Sequence, residues 1–372
     1  MRKHILALLL CAALLCGTAL AHSHPGDGEP TAPAVSSWAR EEIGRAETLG
    51  LLPAAGLPED FAAPMTRGEL RLLLMQFLAR QNHSDLDSFQ RLIAFCLPDR
   101  LEEGMASLTD ASAEDACAYA VGLIQGDGAG SFHPEKAVTR QEVAVLLVRA
   151  YTICGGLLPE SGEPLGFPDI DQVSQWAVAG VAALAGWDVI RGDENGNFLP
   201  EGTCTVEQGI LLLLRLYEQA PMNREKGNLT PLFTYQQVMS YLDSLLPEGT
   251  DHPAHDRSLL VEGPEASLVR LEPMGVMGGL SSLFMVHRQG GLCRVDLGLC
   301  NTPYGQPDRR FLLEGAAFTE DGRTFTCTAT LEEDVISYLT GREGVLLHGK
   351  GTYRIAVPVD SPGRGRAERL PD

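Results

Sequence analysis

The sequence predicts an α+β multidomain chain: an N-terminal all-α module of three repeated units, then a small β-rich domain. Three observations carry this. A helix-opening tetrad recurs at Thr66-Arg67-Gly68-Glu69, Thr139-Arg140-Gln141-Glu142 and Thr205-Val206-Glu207-Gln208. The last two copies sit in a longer frame: Gly126-Asp127, Phe132, Pro134 and Thr139 return at the same spacing as Gly192-Asp193, Phe198, Pro200 and Thr205. A pattern that keeps its glycines, Phe and Thr in register is one structural unit used several times. From about Ser258 the apolar residues instead alternate in short runs, the period of strands.

The chain opens with Arg2 and Lys3, an uncharged apolar run from Ile5 to Leu15, and the small residues Ala19-Leu20-Ala21. Residues 1–21 therefore read as a secretory signal peptide, too short in its apolar core for a membrane span. No later stretch reaches the ~20 apolar residues a membrane helix needs. The product is expected to be secreted, at the cell wall or cell surface. Hydrophobic residues make up 44% and charged residues 21% of the chain, enough apolar material for a core. The formal net charge is −20, and loss of Arg2 and Lys3 with the leader takes it to −22. Such acidity argues against nucleic acid or an anionic membrane as a partner. Beyond the leader the cysteines are Cys96, Cys117, Cys154, Cys204, Cys293, Cys300 and Cys327. An odd set cannot all pair, and no C-x-x-C marks a zinc ribbon. The first four lie in apolar helical stretches and read as small buried hydrophobes. Cys293 with Cys300, or either with Cys327, is the disulfide the spacing leaves open.

The elements follow in order. Residues 22–36 are a flexible leader. Trp38 to Leu51 reads as a helix with Gly50 as its stop, and Leu70 to Ala79 as the helix opened by Thr66. The second unit repeats the plan with helices over Ala113 to Ile124 and Val143 to Cys154, separated by the turn-forming Gly126-Asp127-Gly128-Ala129-Gly130. A Pro/Gly-rich stretch, Pro159 to Pro164, leads to the third unit, with helices over Ser174 to Leu184 and Gly209 to Gln219. Residues 221–257 form a linker with one helix, Val238 to Leu246. The β-rich domain spans 258–360. Its strand candidates include Leu283 to His287, Leu292 to Leu297, Thr324 to Leu331 and Tyr353 to Val357, with turns at Gln289-Gly290-Gly291 and Asp321-Gly322. Leu331 to Thr340 is expected as a helix, and 361–372 as a disordered tail.

The tetrads have a local reading first. Thr followed three residues on by Glu or Gln is a capping box, contributing on the order of 1 kcal/mol and needing no ligand. Thr234-Tyr235-Gln236-Gln237 has the same form outside the frame. Thr66, Glu69, Thr139, Glu142, Thr205 and Gln208 are therefore helix caps. Arg67 and Arg140 do not fit this purpose, because a cation in the first turn opposes the helix dipole. Two readings stay open for them. One is an anion site made of exposed backbone N–H groups and a forked guanidinium. The other is an Arg paired with a neighbouring unit's acid.

Taken together these residues resemble S-layer homology domains. The family frame runs from Phe-x-Asp through Trp-Ala and a Gly-Asp-x-x-Gly-x-Phe-x-Pro loop to Thr-Arg-x-Glu. The third unit carries Phe167-Pro168-Asp169, Trp176-Ala177, Gly192-Asp193, Gly196, Phe198, Pro200 and Thr205. The second places Asp110 where the Trp is expected. The first has Trp38-Ala39 and Gly50-Leu51-Leu52, with a shortened loop around Phe61. The resemblance implies repeats at 37–95, 96–156 and 166–220, packed as a pseudo-threefold helical bundle. Its grooves would bind an acidic secondary cell-wall polysaccharide, typically pyruvylated, on a Gram-positive-type wall. By position it implies Arg67 and Arg140 as grips on the sugar carboxylate and Trp38 and Trp176 against the groove or sugar face. Gly126, Gly192, Asp127 and Asp193 would shape the loops. Val206 in place of Arg implies unequal grooves. Self-assembly into an array stays open.

No cofactor or metal site is expected. Asp193 to Asn197 lacks the following bidentate Glu of a calcium loop, and Asp251-His252 with His255-Asp256 lacks a third ligand. Ser281-Ser282, His287 and Asp296 supply triad residue types without a nucleophile elbow. The reading is a non-catalytic, wall-anchored protein displaying its β-rich domain; the alternative is a surface enzyme with an unrecognised C-terminal catalytic domain.

Overall fold

The computed structural model describes residues 34–158, 166–219, 232–245, 257–271, 282–295, 297, 313–331, 335–337, 345–360 and 365–371. The expected signal peptide, most of the leader, the Pro159 to Pro164 stretch, Cys300, and the residues 251–256, Ser281 and Asp296 lie outside them. The chain divides into two compact units, Met1–Gln81 with Ile93–Thr230, and Asn82–Leu92 with Pro231–Asp372.

The first unit is helical. Among the described residues its helices are α1 (Arg40–Thr48), α2 (Arg67–Gln81), α4 (Pro98–Ser107), α5 (Ala113–Ala120), α6 (Arg140–Ile153), α7 (Val178–Gly186) and α8 (Val206–Gln219), while the boundary between the units falls within α3 (Leu86–Cys96). Helices α3 and α4 interrupt the repeat and were not anticipated, although Pro98 at the first position of α4 is a start signal. α2, α6 and α8 pack against one another pairwise. Their entries are tied together by backbone. Met65 N–H donates to Cys204 O (2.8 Å), Cys204 N–H to Val138 O (3.2 Å), and Val138 N–H to Met65 O (2.9 Å). Each of these residues directly precedes a capping Thr, so the three entries close a ring of hydrogen bonds. Phe61, Phe132 and Phe198 are buried beside it, as are Ala39, Ala118 and Ala177.

The second unit holds α9 (Tyr235–Ser244) and antiparallel sheet. Strands β1 (Arg257–Glu262), β2 (Ala266–Leu271), β3 (Ser282–His287) and β4 (Leu292–Arg294) form one meander. The second sheet joins β5 (Leu313–Phe318), β6 (Thr324–Leu331), β9 (Gly351–Pro358) and β10 (Arg366–Arg369) in the order β10-β9-β6-β5, and β7 (Val335–Ser337) pairs with β8 (Val345–His348). The inner faces of the two larger sheets share one core of Leu268, Met285, Val295, Phe325, Tyr353, Ile355 and Val357 among others. β6 shows the alternation that made it legible: Phe325, Cys327, Ala329 and Leu331 point inward, and Thr324, Thr326, Thr328 and Thr330 outward. The Asp321-Gly322 turn joins β5 to β6, with Gly322 at φ 69°.

Two expectations are corrected here. The helix over Leu331 to Thr340 is replaced by the end of β6 and by β7, whose Val335-Ile336 pair is β-branched and favours strand. The tail is not disordered over its described residues. β10 pairs in register with β9, Leu370 N–H donates to Thr352 O (2.8 Å), and Arg369 Nη2 reaches Lys350 O (2.8 Å).

Residues 82–92 belong to this second unit, although they lie in the stretch assigned to the first repeat. Ser84 Oγ accepts from Leu292 N (3.0 Å), Asp85 from Arg294 N (2.8 Å), and Cys293 Sγ donates to His83 O (3.3 Å). Asn82 Oδ1 accepts from Leu232 N (2.9 Å), and Phe89 packs on Phe233 at 5.9 Å between ring centroids. The His83 and His287 rings stack at 3.8 Å. The chain passes so closely here that a Cβ on Gly290 (φ 92°) would lie 1.6 Å from Phe233 O, and one on Gly291 2.4 Å from His83 O. Cys293 and Cys327 are not joined to each other.

Candidate ligand-binding surface of the repeats

The capping boxes form as the tetrads demand. Thr66 N–H donates to Glu69 (2.7 Å) and Glu69 N–H to Thr66 Oγ1 (3.2 Å); Thr139 with Glu142 and Thr205 with Gln208 repeat the reciprocal pair. Ser112 with Asp115 makes a further box that opens α5, missed because Asp at its last position is rarer than Glu.

The next two N–H groups of each helix are also spoken for. Arg67 N donates to Lys136 O (2.9 Å) and Gly68 N to Pro134 O (2.8 Å). Arg140 N donates to Gly202 O (2.9 Å) and Gln141 N to Pro200 O (3.1 Å). Val206 N donates to Ala63 O (3.1 Å) and Glu207 N to Phe61 O (2.9 Å). Each helix thus docks its first turn on the loop of the next repeat around the ring. The exposed N–H groups that an anion site would use are absent from these first turns; the neighbouring repeat's carbonyls take the place of an anion.

The two arginines differ. Arg67 Nη1 pairs with Glu142 Oε1 at 2.8 Å, with both side chains about four-fifths buried, and its guanidinium lies 5.1 Å from the centre of the Phe132 ring. This is the inter-repeat ion pair, one of the two readings left open. Arg67 Nε is buried and has no hydrogen-bond partner among the described residues. Arg140 occupies the same position over Phe198 (5.3 Å) but bonds carbonyls, Phe198 O (2.6 Å) and Arg191 O (3.2 Å). The reason is the partner: where Arg67 meets Glu142, the next repeat offers the neutral Gln208. Val206 is fully buried.

The third tetrad positions also bridge repeats. Glu207, almost fully buried, accepts from Ser36 N (3.1 Å) and Oγ (2.9 Å), and Gln141 Oε1 accepts from Ser174 N (3.0 Å). Gly68 has no side chain to do this, and its place against α5 is filled by the Arg71–Asp115 ion pair at 2.9 Å.

The loop residues act on the loops themselves. Asp127 Oδ1 accepts from Ala129 N (2.7 Å) and Ser131 N (3.1 Å), and Asp193 Oδ1 from Asn195 N (2.9 Å) and Asn197 N (2.8 Å). The Ser131 and Ala129 amides and the His133 ring hold Asp127 down to about 2. A Cβ on Gly192 would lie 2.5 Å from the Gly196 carbonyl carbon, so only Gly closes that loop. A Cβ on Gly126 would meet Leu108 at 2.7 Å. Asp110 does not stand at the Trp position. Its carboxylate accepts from Phe132 N (2.7 Å) and His133 N (2.8 Å), as Asp169 accepts from Phe198 N (2.8 Å) and Leu199 N (2.7 Å). Asp110 is thus the counterpart of Asp169, and Cys117-Ala118 that of Trp176-Ala177; equal spacing from each Asp to its buried Ala was the signal. Trp38 (53% exposed) and Trp176 (57%) project outward. Neither makes a hydrogen bond or ring contact with Arg67 or Arg140 among the described residues. Burial pushes the Cys154 and Cys204 thiols up to about 12, which leaves them poor nucleophiles.

These features define a repeat-built module whose recurring contacts run between copies, with Trp38 and Trp176 left outside. Comparison with known proteins agrees: the S-layer homology domain model matches residues 117–144 and 166–205. The chain is an S-layer homology domain-containing protein, which associates it with the cell wall and cell surface. It is 30% identical over 103 residues to an amylopullulanase of Thermoanaerobacterium thermosulfurigenes, a match covering 28% of this chain and 6% of that protein. It is 27% identical over 110 residues to a surface layer protein of Brevibacillus choshinensis, covering 28% and 9%. A longer match, 26% identical over 264 residues, joins it to an uncharacterised cell wall amidase of Bacillus anthracis and covers 70% of this chain and 44% of that one. The chain spans less than half the length of each of these relatives. No helix among the described residues is long and apolar enough to cross a membrane.

Proposed function

We propose that this is a non-catalytic, exported protein held on a Gram-positive-type cell wall by three S-layer homology repeats, which form a pseudo-threefold helical module and bind an acidic secondary wall polysaccharide. The second unit is what the module displays. The observation that carries this reading is the ring of hydrogen bonds among Met65, Val138 and Cys204, repeated in the docking of each helix on the next loop. That cycle supports counting residues 37–81 as a repeat, although the family match lies on the other two. The exposed Trp38 and Trp176 support sugar contact, since aromatic faces stack on pyranose rings and large exposed aromatics mark binding surfaces.

Sedimentation with purified walls tests it. The protein is expected to pellet with intact walls and to stay in solution with walls stripped of secondary polymer. Equal pelleting with both would sink the polysaccharide reading. The amidase relative favours a second reading, a wall-cleaving surface enzyme, because that match extends well past the length of the matched repeats. Release of new amino groups or reducing ends from wall fragments by the full-length protein would decide for it.

A further inference from the structure

We infer that Arg100 and Tyr119 form the acid-reading end of a sugar groove on the second repeat; this rests on the anchoring role proposed above. The groove has a volume of about 470 Å³ and is lined by Arg100 and Ser107 of α4, Tyr119 of α5, and Gln125, Gly126 and Gly128 of the following loop. That volume lies within the range of small-molecule sites and holds roughly one or two hexose rings. Arg67 and Arg140 do not line it, and their guanidiniums are engaged between repeats.

Arg100 is differently placed. Its side chain is 48% exposed, and its guanidinium lies 5.4 Å from the centre of the Tyr119 ring. Its partner is Glu103 at 2.6 Å, one turn along the same helix and equally exposed. An exposed pair of this spacing contributes little stability. Exchanging Glu103 for a ligand carboxylate therefore costs little, and the planar fork of Arg100 suits that carboxylate. Glu103 keeps a partner after the exchange, because Tyr119 Oη donates to it at 3.1 Å.

The opposite wall is rich in glycine. Gly128 sits at φ 83° with nothing within 4 Å of where a Cβ would stand, which leaves room there for a ligand ring. The wall is held before any ligand arrives. Asp127 caps the loop's amides, and His133 lies between Asp127 (3.0 Å) and Asp110 (3.8 Å). A pre-formed wall lowers the ordering cost of binding. Because α4 lies outside the repeated frame, the third repeat shows no counterpart of Arg100 among the described residues. The ligand class is a short saccharide in which a carboxylate sits beside free hydroxyls.

Calorimetric titration of the full-length protein with solubilised wall polymer tests this, using polymer with its carboxylates intact or converted to neutral amides. Arg100→Ala is expected to weaken binding of the intact polymer about tenfold, the usual scale for losing one charge-assisted contact. Glu103→Gln, which frees Arg100, is expected to strengthen it. Neither variant should change binding of the neutralised polymer, and both should melt with the parent. Unchanged affinity in Arg100→Ala, with the parent binding well, overturns the groove and leaves the anchoring intact. Failure of the parent to bind either polymer overturns both.

Discussion

Thr139 and Arg140 are adjacent and serve different ends. Thr139 closes a capping box with Glu142 within one helix, whereas Arg140 reaches across to carbonyls of the next repeat. Thr139→Ala is accordingly expected to cost on the order of 1 kcal/mol in urea unfolding, while leaving wall sedimentation unchanged once the protein is folded. The caps were legible because Thr-x-x-Glu encodes its own two bonds. The partner of Arg67 was not. A forked cation signals that an acid is near, but Glu142 reaches it only through the packing of two repeats. Gln208 explains why the same residue type at Arg140 makes different bonds. Asp110 was misplaced for a related reason: with Cys117 in place of Trp, the spacing to Ala118 was the remaining mark of register.

At the scale of elements, the repeat helices were readable within a few residues because their apolar periodicity and Thr caps agree. α3 and α4 were not, since they fall where the repeated frame is silent, although Asp85 caps α3 by accepting from Ser88 N (2.8 Å). Residues 82–92 show what tertiary contacts do. Asp85 is half-buried, and desolvation raises its carboxyl's proton affinity against the opposing pull of the Ser88 and Arg294 amides. Asp85→Ala removes an acceptor from the Arg294 amide and from Ser88. It should destabilise the second unit by about 1–3 kcal/mol and speed amide exchange at Arg294. Exchange at Arg294 equal to the parent's would show that the segment does not hold β4.

For the whole molecule, the two units answer differently to acid. His287 is 5% exposed, and burial together with the charge of His83 pulls it down to about 4 from an ordinary value near 6.5. The folded form therefore binds fewer protons than the unfolded chain between these values, so stability is complete above about 6.5 and falls as pH drops towards 4, by about 3 kcal/mol in all. Asp85 works in the opposite sense: its raised affinity means that protonation relieves a cost as the pH falls. Thermal melting between pH 7 and 5 isolates the histidine. The second unit should lose stability across that window, and His287→Phe should flatten the slope. The helical unit carries no buried His among its described residues and should melt at a nearly constant temperature there. None of this coupling was visible in a reading that treated the C-terminal strands as a separate domain.

Ser84 and Leu292 stand 208 residues apart in the chain, and Asp85 and Arg294 stand 209 apart. During synthesis the chain leaves the ribosome from the N-terminus. The segment 82–92 is therefore delivered long before the strands it completes. Until Phe233 emerges Phe89 lacks the ring it packs on, until β4 emerges Ser84 and Asp85 lack the Leu292 and Arg294 amides, and closing so long a loop is slow. The repeat module can assemble while the rest is still in transit, but the last strands finish only by returning to residues that have been waiting since the first repeat.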